Sequence, residues 1–253
     1  MKVVVFGAAG WLGRAVLENF AGKHEVRVFE YGPQAWEAYS DVDGGEWDGG
    51  EIAYGNIADF GSVDRALEGV EGIVHLAVYN SRDEGAYGVD DEQPFLVNLK
   101  GLWNVLEAAR QRNIRRVVHM GSCQVEHPEG IFFSSDVRRP DGSLYAVTKR
   151  LQEEMCRQYY EAYGLSIIVF RPCSIADTRL GIGKSRNELK QGGITWVCRH
   201  DLAEACRLGI ETEGIELEIL HMASTAEAEA HCNVGRAREV LGLEFRADLD
   251  QFR

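Results

Sequence analysis

The chain has 253 residues, 45% of them hydrophobic and 26% charged, with five prolines, a composition that is typical of a folded globular protein and excludes a disordered or fibrous chain. Its formal net charge of −13 and isoelectric point near 5.0 argue against nucleic acid and membrane surfaces as partners. The six cysteines form no Cys-x-x-Cys pair, and neither a signal peptide nor an apolar run of the ~18 residues needed to span a membrane occurs, so we expect reduced thiols and a cytoplasmic location.

Strands and helices are predicted to alternate along most of the chain. Short runs of β-branched and aromatic residues predict strands, and apolar residues at helical spacing predict helices. In chain order these are a strand at 3–6, a helix at 11–20, strands at 25–30 and 52–54, a helix at 62–67, a strand at 72–78, a helix at 94–111, a strand at 116–120, a helix at 144–163 and a strand at 166–170. The acidic, glycine-rich segment 41–50 is predicted to be an exposed loop.

The pattern becomes less regular after residue 172. A stretch with glycine, arginine and lysine at 178–193 precedes a helix from Asp201, a strand at 217–222 and a helix at 234–241. Several predicted strands are apolar throughout, which indicates a parallel sheet covered by helices on both faces. We therefore predict an α/β fold, a Rossmann-type doubly wound parallel sheet, with a core at residues 1–175 and a small C-terminal cap at 176–253 that is interleaved with the last core elements.

Three glycines follow the first predicted strand and open the first predicted helix. They are Gly7, Gly10 and Gly13, with Trp11 and Leu12 in the same turn. Glycines at this position permit a tight turn and let the backbone approach a pyrophosphate at the helix N-terminus. The spacing differs from the common Gly-x-Gly-x-x-Gly, and any sharp strand-to-helix turn also uses glycine. The position of the trio nevertheless predicts a dinucleotide site.

A carboxylate, Glu30, ends the second predicted strand. There it can accept hydrogen bonds from the ribose hydroxyls of NAD, and it would repel the 2′-phosphate of NADP. The alternative is a solvated acidic residue at a strand end, with Arg14 and Arg27 as nearby cations for a phosphate. Because Tyr31 and not a basic residue follows Glu30, the sequence favours NAD over NADP.

Tyr145 and Lys149 lie four residues apart at the start of the helix predicted at 144–163, so both emerge on one face. A nearby ammonium lowers the pKa of a phenol from about 10 and makes it a usable general base. Ser122 follows the strand at 116–120, at the sheet edge where ligands bind, and can hydrogen-bond the reacting oxygen. The alternative to a catalytic role is structural: Tyr145 and Lys149 would pack against each other, and Ser122 would cap a turn. Ser134 and Ser135 are competing candidates for the catalytic serine.

With these residues in place, the chain resembles the extended short-chain dehydrogenases/reductases, the NAD-dependent epimerase/dehydratase family, along nearly all its length. The shared motifs, in the family's order, are Gly7, Gly10 and Gly13; Glu30; residues 55–59; residues 75–77; Asn98 with Gly101; Ser122; Tyr145 with Lys149; and Arg171 with Pro172. The resemblance implies that residues 1–175 bind NAD and that Ser122, Tyr145 and Lys149 are catalytic.

The resemblance also implies further contacts with the cofactor. Asn56 and Ile57 would lie at the adenine, although an aspartate is more usual where Asn56 stands. Leu76, Ala77 and Val78 would lie along the pyrophosphate and ribose. Asn98 would either stabilise a helix or take part in a proton relay. Lys149 would also bind the nicotinamide ribose. Pro172 and Cys173 would lie beside the nicotinamide.

Within that family the chain is most similar to the compact uronate dehydrogenases, which oxidise the anomeric hydroxyl of a hexuronate to a lactone. The similar segments are residues 139–142, 195–196 before 200–201, and the short tail 241–253. The resemblance implies a small sugar or sugar-acid substrate, with Tyr145 removing the hydroxyl proton, Ser122 holding the oxygen and NAD accepting the hydride.

The substrate contacts are less defined. Cys123 and Gln124 replace an asparagine and a histidine of the subfamily, and the loop between Ser174 and Trp196 is longer. Candidates for substrate binding are therefore Ser122, Cys123, Gln124, Ser174, Arg179, Arg186 and Trp196. Either arginine can bind a carboxylate or be solvated, and Trp196 can line the pocket or pack in the core.

Three further expectations complete the sequence prediction. No His-x-His or His-x-x-x-His pair occurs, so we expect no metal; His75 is expected to pack on its strand and Asp201 to cap its helix. A homodimer through the helices at 94–111 and 144–163 is expected by resemblance, with contacts from Leu102, Val105, Leu106, Met155 and Tyr159. Alternatives to the dehydrogenase are an NAD-dependent epimerase or dehydratase, which would release no net NADH, and a cofactor-sensing regulator without catalysis.

Overall fold

Ten strands form two sheets in a computed structural model that describes residues 1–79, 92–125, 142–190 and 193–252. The strands are β1 (Lys2–Phe6), β2 (Glu25–Glu30), β3 (Glu51–Tyr54), β4 (Gly72–His75), β5 (Arg116–Met120), β6 (Ile167–Pro172), β7 (Ser174–Asp177), β8 (Ile182–Gly183), β9 (Trp196–Cys198) and β10 (Leu217–Met222). Seven of them form a parallel sheet in the order β10-β6-β5-β4-β1-β2-β3. Strands β8, β7 and β9 form the second sheet.

The strand order reverses beside β1, which pairs with β2 on one side and β4 on the other. Val3 aligns with Val26 in β2 and with Gly72 in β4. The two halves of the sheet therefore wind outward in opposite directions, and a crevice opens at the carboxyl ends of β1 and β4. The predicted Rossmann-type parallel sheet is confirmed.

Helices cover both faces of the large sheet. They are α1 (Trp11–Phe20), α2 (Ser40–Asp43), α3 (Phe60–Ala66), α4 (Gly101–Gln111), α5 (Leu144–Tyr163), α6 (Arg199–Glu211) and α7 (Gly235–Leu241). Short 3-10 helices occur at Pro33–Tyr39, Cys123–Val125, Ala226–Ala230 and Asp250–Phe252, and a π-helical segment, Pro94–Lys100, leads into α4. No helix in the described ranges is long and apolar enough to cross a membrane.

The apolar core is divided by the sheet into two layers. Val3 and Val5 of β1 face α1 and α6, whereas Val4 and Phe6 face α3, α4 and α5. Alternate residues of a strand point to opposite faces, so a strand that is apolar at every position is buried on both sides. This is why residues 3–6 form an uninterrupted apolar run.

Several boundaries differ from the sequence prediction for local reasons. β4 ends at His75 and not at residue 78, because the next residues turn along the crevice. The expected cap role of Asp201 is wrong, since α6 begins at Arg199 and Cys198 precedes it. The Asp201 carboxylate instead accepts hydrogen bonds from the backbone N–H groups of Arg246 and Ala247, at 3.1 and 3.2 Å.

The segment predicted as an exposed loop at 41–50 begins as a helix. Residues 33–43 form the 3-10 helix and α2, and Asp43 at their end pairs with the buried Arg199 of α6. Arg199 also donates to Asp177 of β7 at 2.6 Å. These ion pairs join the N-terminal and C-terminal parts of the chain.

The C-terminal region contributes to both sheets. α6 packs on α1, and β10 pairs with β6 at the edge of the large sheet. Only β7, β8 and β9 with their connections stand apart from the main sheet. The boundary near residue 175 and the assignment of 176–253 as a substrate cap stay proposals.

The predicted dimer contacts are wrong in part. Leu102, Val105 and Leu106 are fully buried within the chain, in the layer that α4 forms against the sheet. The outward apolar side chains of this region are Phe95, Trp103, Leu151 and Tyr163. A surface formed by α4 and α5 in a dimer would therefore use these residues.

His75 and His119 face each other inside the sheet, on the neighbouring strands β4 and β5. Both are fully buried, and their Nδ1 atoms lie 3.0 Å apart. Burial lowers the pKa of His75 to about 3 and also lowers that of His119, so both rings are neutral near pH 7. One ring therefore donates to the other, and His75 packs on its strand as expected.

Candidate active site

A cleft of about 850 Å³ lies at the carboxyl ends of β1, β2, β4, β5 and β6. Open parallel sheets bind ligands at this position, where the strand order reverses. Most of the cofactor residues predicted from sequence form its wall: Gly7, Gly10, Trp11, Leu12, Gly13, Glu30, Asn56, Ile57, Leu76, Ala77, Val78, Tyr145, Lys149, Pro172 and Cys173. The fold thus gathers into one cleft residues that are distributed from position 7 to position 173.

The turn after β1 has no space for side chains at two of its glycines. Gly7 has a φ of +80°, and a Cβ there would lie 2.7 Å from the backbone nitrogen of Ala77. A Cβ on Gly13 would lie 2.5 Å from the Cα of Ala8 and from the carbonyl oxygen of Gly7. The turn therefore brings the N-terminus of α1 to the cleft, a geometry that fits the pyrophosphate of a dinucleotide.

Glu30 lies at the end of β2, on the same wall. Its side chain is 6% exposed, and Oε1 accepts a hydrogen bond from the backbone N–H of Ala9 at 2.7 Å. Burial raises its pKa, while the N–H groups of Ala9 and Tyr31 oppose that change. The carboxylate is thus fixed beside the glycine turn, where a ribose diol of a dinucleotide would lie.

The two arginines that might accommodate a 2′-phosphate are directed elsewhere. Arg14 donates to the carbonyl oxygens of Ala9 and Trp36, at 3.0 and 2.6 Å. Arg27 pairs with Glu51 at 2.7 Å and donates to further carbonyl oxygens. Since both guanidinium groups hold the chain's own oxygens, the wall around Glu30 favours the cofactor without the extra phosphate.

Asn98 lies beneath the cleft and does not form its wall. The side chain is fully buried, accepts from the N–H of Tyr79 at 2.8 Å and donates to Thr148 on α5 at 3.2 Å. It therefore joins the segment after β4 to the helix that carries Tyr145 and Lys149. In this structure Asn98 has the helix-holding role, one of the two that the resemblance implies.

Tyr145 and Lys149 lie on the first turns of α5, which Ser143 caps by accepting from the N–H of Ala146 at 3.2 Å. Tyr145 is half-buried on the cleft wall. The Lys149 Nζ lies 5.9 Å from the centre of the Tyr145 ring and donates to the carbonyl oxygen of Met120 at 2.8 Å. Strand β5 thereby fixes the lysine beside the tyrosine.

The pKa of Lys149 is lowered to about 7, mainly by burial; Cys156 opposes this change and the charge of Lys184 adds to it. The side chain is 3% exposed. A lysine in this state exchanges its proton near neutral pH, unlike a surface lysine, whose pKa is about 10.4. Strongly shifted pKa values in a cleft are typical of functional sites.

This shift predicts how stability depends on pH. Between pH 7 and 10.5 the unfolded chain holds a proton on Lys149 that the folded chain releases, so stability rises with pH. Relative to Lys149→Met, the wild-type free energy of unfolding should rise by about 2 kcal/mol between pH 7.5 and 9.5. Urea unfolding at several pH values measures this free energy, with Lys190→Met, a substitution of an exposed lysine, as control. If the free energy of unfolding changed with pH equally in the wild type and Lys149→Met, the prediction would be wrong.

Ser122 follows β5 but is set slightly behind the cleft wall, which Met120 and Gly121 form at this point. The serine is 5% exposed, and its Oγ accepts from the N–H of Gln124 at 3.2 Å. The carbonyl oxygen of Gln124 accepts from Arg150.

Cys123 and Cys173 meet at the end of β5 and β6. Cys123 is buried in a small apolar cluster that Cys173 contacts, and the neighbouring Cys173 thiol together with burial raises the pKa of Cys123. Cys173 forms part of the wall, and Ser174 beside it is exposed. Ser122, Cys123 and Ser174 thus do not form the wall themselves. Ser122 follows the wall residue Gly121, while Cys123 and Ser174 lie beside the wall residue Cys173.

The structure does not bring Arg179, Arg186 or Trp196 to the cleft wall. Arg179 pairs with Glu18 on α1 at 2.7 Å, and Arg186 pairs with Asp41 at 2.7 Å. Trp196 packs in an apolar cluster of the second sheet, formed with Ala176, Leu189, Leu249 and Phe252. The core-packing alternative therefore describes Trp196, and neither arginine is placed to hold a substrate carboxylate.

The sequence prediction missed several wall residues. Tyr39, Ile175 and Lys184 form part of the cleft, although none belongs to a recognised motif. Lys184 lies in the long loop between Ser174 and Trp196, whose register against the subfamily was undefined. Ser134, Ser135 and residues 139–141 lie outside the described residues.

Comparisons with known proteins agree with this geometry. A model of the NAD dependent epimerase/dehydratase family matches residues 3–179. Uronate dehydrogenase from Pseudomonas putida is 26% identical over 234 residues, which cover 88% of this chain and 76% of that protein. Uronate dehydrogenase from Agrobacterium fabrum is 32% identical over 177 residues, covering 67% of this chain and 60% of that protein.

A solved structure is similar over the whole chain. It is a mutant uronate dehydrogenase from Agrobacterium tumefaciens complexed with NAD, 25% identical, with a TM-score of 0.76. The match covers 100% of this chain and 87% of that one.

Proposed function

The chain belongs to the NAD-dependent epimerase/dehydratase family, and on this basis we propose that it oxidises a hydroxyl of a small sugar acid and releases NADH. The proposed reaction is that of a uronate dehydrogenase, in which the anomeric hydroxyl of a hexuronate becomes the carbonyl of a lactone. NAD is the cofactor, and the chain is an enzyme of the short-chain dehydrogenase/reductase kind.

The observation that carries the proposal is the position of Tyr145 and Lys149 on the wall of the cleft that contains the glycine turn and Glu30. A phenol and a buried ammonium at one end, with a pyrophosphate-binding turn at the middle, suit proton removal beside a bound dinucleotide. The similarity to uronate dehydrogenases over 88% of the chain supports a sugar acid as the substrate.

Three side chains would perform the chemistry. The Tyr145 phenolate takes the proton of the substrate hydroxyl and becomes the phenol, and the protonated form of Lys149, whose Nζ lies 5.9 Å from the ring centre, stabilises that phenolate. The Ser122 hydroxyl holds the substrate oxygen in place. When bound, NAD supplies the hydride acceptor.

The proposal is tested by mixing the purified protein and NAD with a panel of hexuronates, neutral aldoses and simple secondary alcohols. Net NADH formation with uronates and not with neutral aldoses is the expected result. NADH formation only with neutral sugars would overturn the sugar-acid assignment. Conversion of a sugar without net NADH would overturn the dehydrogenase in favour of an epimerase or dehydratase.

Cofactor choice is predicted to depend on the charge of Glu30. In the wild type the Glu30 carboxylate accepts a hydrogen bond from Ala9 N–H at 2.7 Å. Glu30→Gln keeps an oxygen that can accept this bond but removes the charge that repels a 2′-phosphate. The ratio of NAD to NADP affinity should fall about tenfold, the equivalent of about 1.4 kcal/mol. Titration of both cofactors measures the ratio, and Glu37→Gln on the neighbouring 3-10 helix is the control. An unchanged ratio would show that the shape of the cofactor site, and not the charge of Glu30, sets the preference for NAD.

We also propose that two chains associate through α4 and α5. Trp103 on α4 and Leu151 on α5 are each exposed by 40% or more, and Tyr163 at the end of α5 and Phe95 in the segment before α4 are exposed as well. Light scattering at micromolar concentration is expected to give twice the chain mass, and Trp103→Glu with Leu151→Glu is expected to give a monomer. A monomeric wild type would contradict this proposal.

A further inference from the structure

The connection between β7 and β9 contains a hairpin, and Lys184 of this hairpin lies on the cleft wall. We call residues 181–189 the strap. Its arms are joined by the bonds Gly183 N–H to Asn187 O and Leu189 N–H to Gly181 O, both 2.9 Å. The turn between them is closed by Arg186, whose φ of 62° is in the left-handed region. The strap is therefore a defined turn with Lys184 near its tip.

One side of the strap is fixed to the second sheet. β8 runs antiparallel to β7, with Ala176 opposite Gly183 and Asp177 opposite Ile182. One step further along this register, Lys184 comes opposite Ile175. Both residues form part of the cleft wall.

The same register places Lys184 over the start of α1. The carbonyl oxygen of Ile175 accepts a hydrogen bond from the indole Nε1 of Trp11, at 3.2 Å. Trp11 is the first residue of α1 and follows Gly10 of the glycine turn. Lys184 therefore faces the cleft at the helix N-terminus, across from the turn that suits a pyrophosphate.

The other side of the strap is tied to the segment after β2. Arg186 donates to both carboxylate oxygens of Asp41 at 2.7 Å and to the carbonyl oxygen of Ala38 at 2.5 Å. Its guanidinium also lies 5.1 Å from the centre of the Tyr39 ring, which contacts Trp11. The Arg186–Asp41 pair thus joins the strap to the segment after β2, beside the cleft.

The charges on the cleft wall indicate a role for Lys184 in binding an anion. A pyrophosphate carries two negative charges, and this chain has a net charge of −13, with Glu30 on the same wall. Among the described wall residues the cations are Lys149 and Lys184. Lys149 donates to Met120 O at the end of the cleft that Tyr145 forms.

We propose that Lys184 binds the pyrophosphate of NAD from the side opposite the glycine turn, and that the Arg186–Asp41 pair positions it. Lys184 is the cofactor contact, whereas Arg186 and Asp41 are positioning residues. The inference goes beyond the proposed function, because it concerns how the dinucleotide is held and holds for any substrate.

The test measures ligand binding without turnover. ADP-ribose contains the pyrophosphate and adenosine does not, so the two probes separate a phosphate contact from the adenosine contacts. Calorimetry or intrinsic tryptophan fluorescence reports binding. Lys184→Met should raise the Kd for ADP-ribose about tenfold and leave that for adenosine unchanged, whereas Lys184→Arg should stay within about twofold of wild type. Lys190→Met, a matched control on an exposed lysine that pairs with Glu188, should change neither.

Two outcomes would overturn the assignment. An unchanged Kd for ADP-ribose in Lys184→Met would exclude a pyrophosphate contact, and a raised KM for a uronate with that Kd unchanged would assign Lys184 to the substrate. An equal loss of affinity for ADP-ribose and adenosine would show that Lys184→Met disturbs the whole cleft and not a contact with the pyrophosphate. Because the two Kd measurements need no activity, failure of the dehydrogenase proposal would leave the ADP-ribose and adenosine test intact.

A double-mutant cycle tests the positioning pair. Asp41→Asn should raise the Kd for ADP-ribose about threefold when Lys184 is present and should have no effect in the Lys184→Met background. An equal rise in both backgrounds would show that Asp41 does not act through Lys184.

Discussion

Replacing Tyr145 with phenylalanine is expected to lower kcat/KM for the sugar acid by roughly 10²- to 10⁴-fold, while the Kd for NAD stays within about twofold. The substitution removes one oxygen from a half-buried ring and leaves the ring in place. The helix cap at Ser143 and the bond from Lys149 to Met120 O do not involve the phenol. The loss would therefore fall on proton transfer and not on the cofactor site.

The control for this experiment lies on the same helix. Tyr160 donates its hydroxyl to Glu216 at 2.7 Å, away from the cleft, so Tyr160→Phe should retain near wild-type activity. Initial rates of NADH formation and a titration with NAD give the two quantities for each variant. Full activity in Tyr145→Phe would show that another group takes the proton.

Replacing Gly13 with alanine is expected to abolish measurable NAD binding and to lower the free energy of unfolding by about 3 kcal/mol. The added Cβ would lie 2.5 Å from Ala8 Cα and from the carbonyl oxygen of Gly7. These are backbone atoms, which no rotamer change can move. To relieve the contact, α1 must shift away from β1, and the turn that faces the pyrophosphate opens with it.

Gly45→Ala is the matched control for this variant. No atom lies within 4 Å of a Cβ built on Gly45. Urea unfolding and an NAD titration should give wild-type values for this variant. Wild-type NAD affinity in Gly13→Ala would show that the close packing of α1 against the turn is not needed for the cofactor.

The sheet and the cofactor side of the cleft followed from the sequence because their signals are local. A strand buried on both faces must be apolar at every position, as residues 3–6 are, and a helix that packs on a turn at Gly13 tolerates no side chain. Tyr145 and Lys149 were found in the same way, since a spacing of four on a helix fixes a shared face. These arguments need no knowledge of distant contacts.

The other side of the cleft depends on pairings that no local pattern reveals. Arg179 and Arg186 were candidates for a substrate carboxylate because of their charge, but Glu18 and Asp41 occupy them from distant parts of the chain. Lys184 was missed because its place depends on the register of a two-residue strand, Ile182–Gly183, against β7.

The same limit applies to the dimer contacts. Leu102, Val105 and Leu106 have the spacing of an apolar helix face, and a sequence does not tell which face meets the sheet and which meets a partner. In the structure they lie in the core, and Trp103 between them points outward.

The packing of α6 on α1 has a consequence for how the protein is made. Arg199 on α6 donates to the carbonyl oxygen of Trp11, 188 positions earlier in the chain. A growing polypeptide that has emerged from the ribosome only as far as β6 already contains the glycine turn, Glu30, Tyr145 and Lys149, but α1 still lacks its covering helix. Contacts of such long sequence separation form late and slow folding. Cofactor affinity should therefore be acquired only after synthesis is nearly complete, and ribosome-bound chains halted before α6 should not retain NAD.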